Sequence, residues 1–167
     1  MPNDDLLRPT LSDYRQAPAL YSSTGFFLSS FFGGPVGAAV YGLCNSYRLN
    51  RLATDLPVIL ALAAAAFFLA LVLQQSGQMD GIADLLGAQP RRTAEIVLRA
   101  FALACFGAIY LMHRRFFRTA RVTGNKSLPS WIPGIAAVVL GYFANQAFIS
   151  QFVEHDTDRT IEVHSKP

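Results

Sequence analysis

Charge is what this sequence has least of. Only 15% of its 167 residues are Asp, Glu, Lys or Arg, against about a quarter in an ordinary soluble domain. The deficit is concentrated, because residues 16–47, 56–79 and 127–153 carry no charged side chain at all. With 52% hydrophobic residues and a mean hydropathy of +0.31, the expected solvent of this single domain is lipid. Cysteine is also scarce. Cys44 and Cys105 stand alone, without a Cys or His at ligand spacing, which argues against a disulfide or a metal pair. They read as small apolar filler. No Walker loop, HExxH helix or GxSxG elbow is present, and no paired reactive groups sit at membrane depth. An enzyme is therefore not expected, nor a cofactor or a metal. The first 25 residues mix charges and prolines without an apolar core, so no cleavable signal peptide is read there. The first span is expected to act as its own insertion signal.

What the sequence does have is apolar runs of membrane length. About 20 apolar residues in a helix cross about 30 Å of hydrocarbon, and four stretches qualify: 23–47, 56–74, 94–113 and 131–153. They are continuous rather than alternating, so helices, not a barrel, satisfy the backbone in lipid. The expected fold is all-α: four transmembrane helices in a bundle, a polar segment over 1–22 and a flexible tail over 154–167. Asp55 before Leu56-Pro57 and Ser130 before Trp131-Ile132-Pro133 read as caps followed by early prolines. Tyr21, Tyr47 and Trp131 fall at span ends, where amphipathic rings prefer to sit. Between the second and third spans, Met79, Ile82, Ala83 and Leu86 share helical spacing while Asp80 and Asp84 point elsewhere, the pattern of a short interfacial helix. The net charge of +3 comes from bases beside apolar runs, which suits anionic headgroups rather than nucleic acid. Bases divide seven against seven between the two sides. The dense cluster HRRFFRTAR after the third span places the odd loops in the cytoplasm by the positive-inside rule, and both termini outside, in the periplasm.

The first run contains FFGGPVGAAVYGLC. Gly34, Ala38 and Gly42 recur every four residues, and Gly33 and Gly37 form an adjacent GxxxG pair. In lipid such small residues let helices approach closely. Pro35 between them predicts a kink. A packed, kinked helix is favoured over a broken helix lining a substrate site, since no later span repeats the Gly-Gly-Pro signal. Leu20-Tyr21-Ser22, Phe32-Gly33-Gly34-Pro35 and Asn45-Ser46-Tyr47-Arg48 together resemble a group of uncharacterised bacterial membrane proteins with a Leu-Tyr-Ser opening, a Phe-x-Gly-Gly-Pro core and a basic exit from the first span. The resemblance covers about a fifth of the chain. It implies a four-span protein of the bacterial inner membrane and no particular activity.

Polar groups within the spans are few. Arg99 follows Glu95 by four residues, the favourable order for a helical pair, and reads as a side chain snorkelling to the headgroups, with an anchor for an acidic partner or lipid as the alternative. Asn145, Gln146, Ser150 and Gln151 mark the fourth span. They act either as hydrogen-bonding glue between helices or as a polar pore lining. His113 opens the basic loop without a companion in the sequence around it, and the tail residues His155, Asp156, Asp158 and His164 read as solvated. The functional expectation is a non-enzymatic accessory, scaffolding or immunity-type subunit acting through helix contacts with another membrane protein or a second copy of itself. The alternative is a small oligomeric transporter or channel.

Overall fold

A computed structural model describes residues 20–122, 128–129 and 131–164, without the side chains of 121–122 and 151–164. The described chain is all-helical: α1 (Ser23–Arg48), α2 (Leu52–Gln75), α3 (Gln78–Leu86), α4 (Pro90–Val122) and α5 (Trp131–His164). Four of the five, all but α3, are long and apolar enough to cross a membrane. Helices are thus present at all four expected spans, with one short helix between the middle two.

Local chemistry sets the ends. Ser22 caps α1, its Oγ accepting from the Gly25 N–H at 3.0 Å. α2 starts four residues earlier than its apolar run suggests, so Asp55 lies inside the first turn and the uncapped N-cap position falls to Arg51. The carboxylate expected to cap α2 is thereby free for other work. α4 overruns its apolar stretch at both ends, and α5 continues as helix through 154–164, residues that the composition reads as tail. Ser130 lies outside the described residues. α3 buries Met79 and Ala83 against α4 and α2, while Leu86 and both aspartates are exposed.

The main departure from a simple bundle is the path of α1. Helical geometry breaks at Gly34, whose φ of 65° and ψ of −158° belong to a region open essentially only to glycine. The chain then doubles back. The Phe26 and Tyr41 rings stack at 5.2 Å, and the Tyr21 N–H donates to Asn45 Oδ1 at 3.0 Å. A straight helix would hold residues 21 and 45 about 36 Å apart. α1 is therefore a helical hairpin, with arms at 23–33 and 35–48, a tip at Gly34 and a base where both arms meet. Pro35 is the first residue of the returning arm, where its missing N–H is harmless and its fixed φ favours helix initiation. It starts a helix where the sequence predicts a kink within one.

The hairpin is the core. Its apolar window is 61% buried, against 17% for that of α2 and 22% for that of α5. Phe26, Ala38 and Tyr41 are fully enclosed among residues of α2, α4 and α5, while Leu60, Phe68, Leu111, Leu140 and Phe143 face outwards. In water such a surface would be untenable; in lipid it is the solvated face.

Candidate functional sites at the two ends of the hairpin

The base is clamped by polar side chains. The Tyr41 hydroxyl of the returning arm donates to the Ser22 carbonyl at 2.9 Å, and Leu128 N–H donates to the Leu20 carbonyl at 3.0 Å, tying the segment before α5 to the hairpin entrance. Beside them is a three-helix cluster. His113 Nε2 of α4 lies 3.0 Å from Asp55 Oδ2 of α2 and 3.2 Å from Ser46 Oγ of the returning arm. All three side chains are at most 2% exposed. Arg51 Nε, 3.8 Å from the other Asp55 oxygen, extends towards the surface. A Ser, a His and an Asp invite comparison with a hydrolase triad, but both partners share Nε2. Nucleophile activation needs the carboxylate on the opposite ring nitrogen, and here Nδ1 is buried without a partner. The arrangement can join three helices; it cannot activate Ser46. The sequence around His113 holds no companion for it because its partners are 58 and 67 residues away.

The tip meets α5 and α4. A Cβ on Gly33 would come within 2.7 Å of the Ala137 carbonyl, one on Gly141 would strike the Gly33 backbone, and one on Gly34 would strike the Asn145 amide. Gly37 packs on the Ser29 carbonyl of the opposite arm, whereas Gly42, near the base, faces Ile109 of α4. The two adjacent small-residue stripes expected to form one broad face for another helix therefore meet different neighbours. Gly33 and Gly37 admit α5 and the opposite arm, Gly34 makes the turn, and Ala38 is enclosed.

Beside the tip is a cavity of about 200 Å³, lined by Phe32, Glu95, Leu98, Arg99, Tyr142, Asn145, Gln146 and Ile149. Arg99, Asn145 and Gln146, three of the polar span residues singled out in the sequence, thus share one site. Ser150 donates to the Ala147 carbonyl at 3.0 Å, and the Gln151 side chain lies outside the described residues. Arg91, Glu95 and Arg99 recur every four residues along α4. Arg91 Nη2 donates to Gln146 Oε1 at 3.2 Å. Arg99 lies 3.9 Å from Glu95 and above the Phe31 ring at 5.7 Å. Asn145 Oδ1 is buried without a donor. Arg99 stands nine residues into α4, about 13 Å from its start, so the cavity belongs to the membrane leaflet farther from the hairpin base. Cys105 donates to the Leu62 carbonyl at 3.5 Å and Cys44 is half-buried; both are free thiols.

Compared with family models, curated proteins and solved structures, the chain matches none.

Proposed function

We propose that this is a non-enzymatic, multi-pass membrane protein of the transporter or channel type, which holds a polar ligand in the cavity at the hairpin tip. The observation that carries this reading is the convergence of Arg99, Glu95, Asn145 and Gln146 on a break in helical backbone. Irregular backbone at membrane depth is tolerated where protein buries it or where it lines a polar cavity, and broken helices of this kind form ligand sites in transporters. The accessory or immunity reading drew on a free small-residue face. That face is occupied within the chain by α5, Ser29 and Ile109, so the reading loses that support.

The hairpin also bears on orientation. Its entrance lies beside Leu128, at the end where α5 begins, so the path favours one re-entrant segment followed by three crossings. Arg48, Arg51, Arg114, Arg115, Arg118 and Arg121 then belong to the base end, against Arg91, Arg92, Arg99 and Arg159 at the other. By the positive-inside rule the base end is cytoplasmic, in what the sequence resemblance suggests is a bacterial inner membrane. The expectation of both termini outside assumes a straight first crossing. In the proposed arrangement, with a folded first segment, the hairpin entrance is on the cytoplasmic side and the end of α5 on the opposite side.

The test is aqueous access. In a Cys44→Ala/Cys105→Ala background, single cysteines replacing Asn145 and Gln146 should react with a membrane-impermeant thiol reagent, whereas one replacing lipid-facing Phe143 should not. Protection of both cavity positions would contradict a hydrated ligand site.

A further inference from the structure

We infer that the tip cavity receives the head of a membrane lipid carrying both a phosphate and a primary amine, admitted sideways from the bilayer. This rests on reading the cavity as a ligand site and adds the class of ligand and its route.

Charge comes first. The cavity is lined by one cation and one anion, Arg99 and Glu95, 3.9 Å apart. At that separation the pair is not closely hydrogen-bonded, and each side chain is about half to one-third exposed. A simple anion would meet Arg99 but lie against Glu95; a simple cation would meet the reverse conflict. A head bearing both signs satisfies the two together, its phosphate on the guanidinium and its ammonium on the carboxylate. Hydrogen-bonding capacity then narrows the cation. The Glu95 carboxylate, one-third exposed at the cavity, only accepts hydrogen bonds. A primary ammonium brings three N–H donors; a quaternary ammonium brings none. Gln146 Oε1 accepts from Arg91 Nη2, which leaves the amide N–H₂ to donate to a phosphate oxygen beside Arg99.

The route follows from the walls. Phe32 is 58% and Tyr142 is 53% exposed, and both line the cavity. Tyr142 stands eleven residues into α5, about 16 Å from its start, within the apolar stretch. Exposure at that depth faces acyl chains, so on the side of these two rings the cavity opens towards lipid. A cavity of about 200 Å³ takes a headgroup while the acyl chains remain in the bilayer along the Phe32 and Tyr142 rings.

The test uses the full-length protein, delipidated in detergent and offered phosphatidylethanolamine, phosphatidylcholine and phosphatidylglycerol of matched acyl chains, with binding read by native mass spectrometry. Phosphatidylethanolamine should bind about tenfold more tightly than either of the others, a difference of about 1.4 kcal/mol. Glu95→Gln, which keeps shape and removes charge, should erase the advantage over phosphatidylcholine. Arg99→Gln should weaken all three. Free O-phosphoethanolamine should displace the lipid poorly. Equal binding of the ethanolamine and choline lipids would overturn the proposal, and that comparison needs no variant. So would a preference for phosphatidylglycerol, an advantage that survives Glu95→Gln, or full displacement by free O-phosphoethanolamine, which would identify a soluble zwitterion as the ligand. If the positions of Asn145 and Gln146 label from water while lipids bind without selectivity, only this inference fails. If neither labels, the ligand-site reading beneath it fails.

Discussion

The two ends of the hairpin use polar residues in opposite ways. At the base, Ser46, Asp55 and His113 are almost completely buried and face one another at 3.0 to 3.2 Å. At the tip, Arg99, Glu95, Asn145 and Gln146 surround a cavity. Each end keeps a buried polar atom without a partner, His113 Nδ1 at the base and Asn145 Oδ1 at the tip. The tip groups border open space, however, whereas the base groups are packed shut. Enclosed polar groups that meet each other hold structure, since breaking one contact strands its partner in a low-dielectric interior. Polar groups around an opening, incompletely paired, are suited to a ligand. The fold thus separates the clamp from the proposed binding site by the length of one arm, residues 35–46, or about 17 Å.

The largest effect should come from closing the backbone contact at the tip. Gly141→Leu drives a side chain into Gly33 of the hairpin, and overpacking against backbone has no flexible neighbour to absorb it. We expect a loss of about 3 kcal/mol or more, measured by thermal unfolding in detergent, with the monodisperse species lost at moderate temperature. A wild-type melting temperature in this variant would show that α1 and α5 do not touch there.

Next comes the base. His113→Ala leaves the Asp55 carboxylate buried with only Arg51 at 3.8 Å, a loss of about 3 kcal/mol. Adding Asp55→Asn to His113→Ala should recover part of that loss, because the stranded charge is then gone; a double-mutant cycle reads this coupling directly. Strict additivity of the two changes would mean that the cluster is not one unit.

These positions also show what the sequence makes legible. The helices are written in the apolar runs, and α3 in the spacing of Met79 and Ala83. The hairpin is written there too, in a form easily misread. Gly34-Pro35 pairs a residue suited to ending a helix with one suited to starting the next, yet inside 32 uncharged residues it passes for a kink. The base cluster is hidden for a different reason. Asp55 reads as a cap and His113 as the edge of a basic loop, since nothing local marks two residues 58 positions apart as neighbours. The tip cavity is half legible. Polar residues in an apolar span announce themselves, but their convergence depends on the fold of α1, which decides what faces them.

At the tip the comparison sharpens with a small stability effect and a large binding effect. Gln146→Ala should change unfolding free energy by less than about 1 kcal/mol, because its bond to Arg91 is exposed, yet it should weaken ligand retention in the cavity several-fold. A large stability loss with binding intact would reverse the roles assigned to the two ends. The smallest effect is expected away from both. Gly81 sits within α3 with open space around it, so Gly81→Ala should stabilise by about 0.5 to 1 kcal/mol and leave ligand binding unchanged.

The folded path of α1 underlies every one of these assignments, and a distance measurement tests it directly. Thr24 and Tyr47 are exposed on opposite arms near the base and accept spin labels in the Cys44→Ala/Cys105→Ala background. A hairpin predicts a distance distribution centred below about 20 Å in lipid nanodiscs, whereas a single straight helix would place these residues about 35 Å apart. The short distance is the expected result; the long one would contradict the hairpin and, with it, the tip cavity and the base clamp.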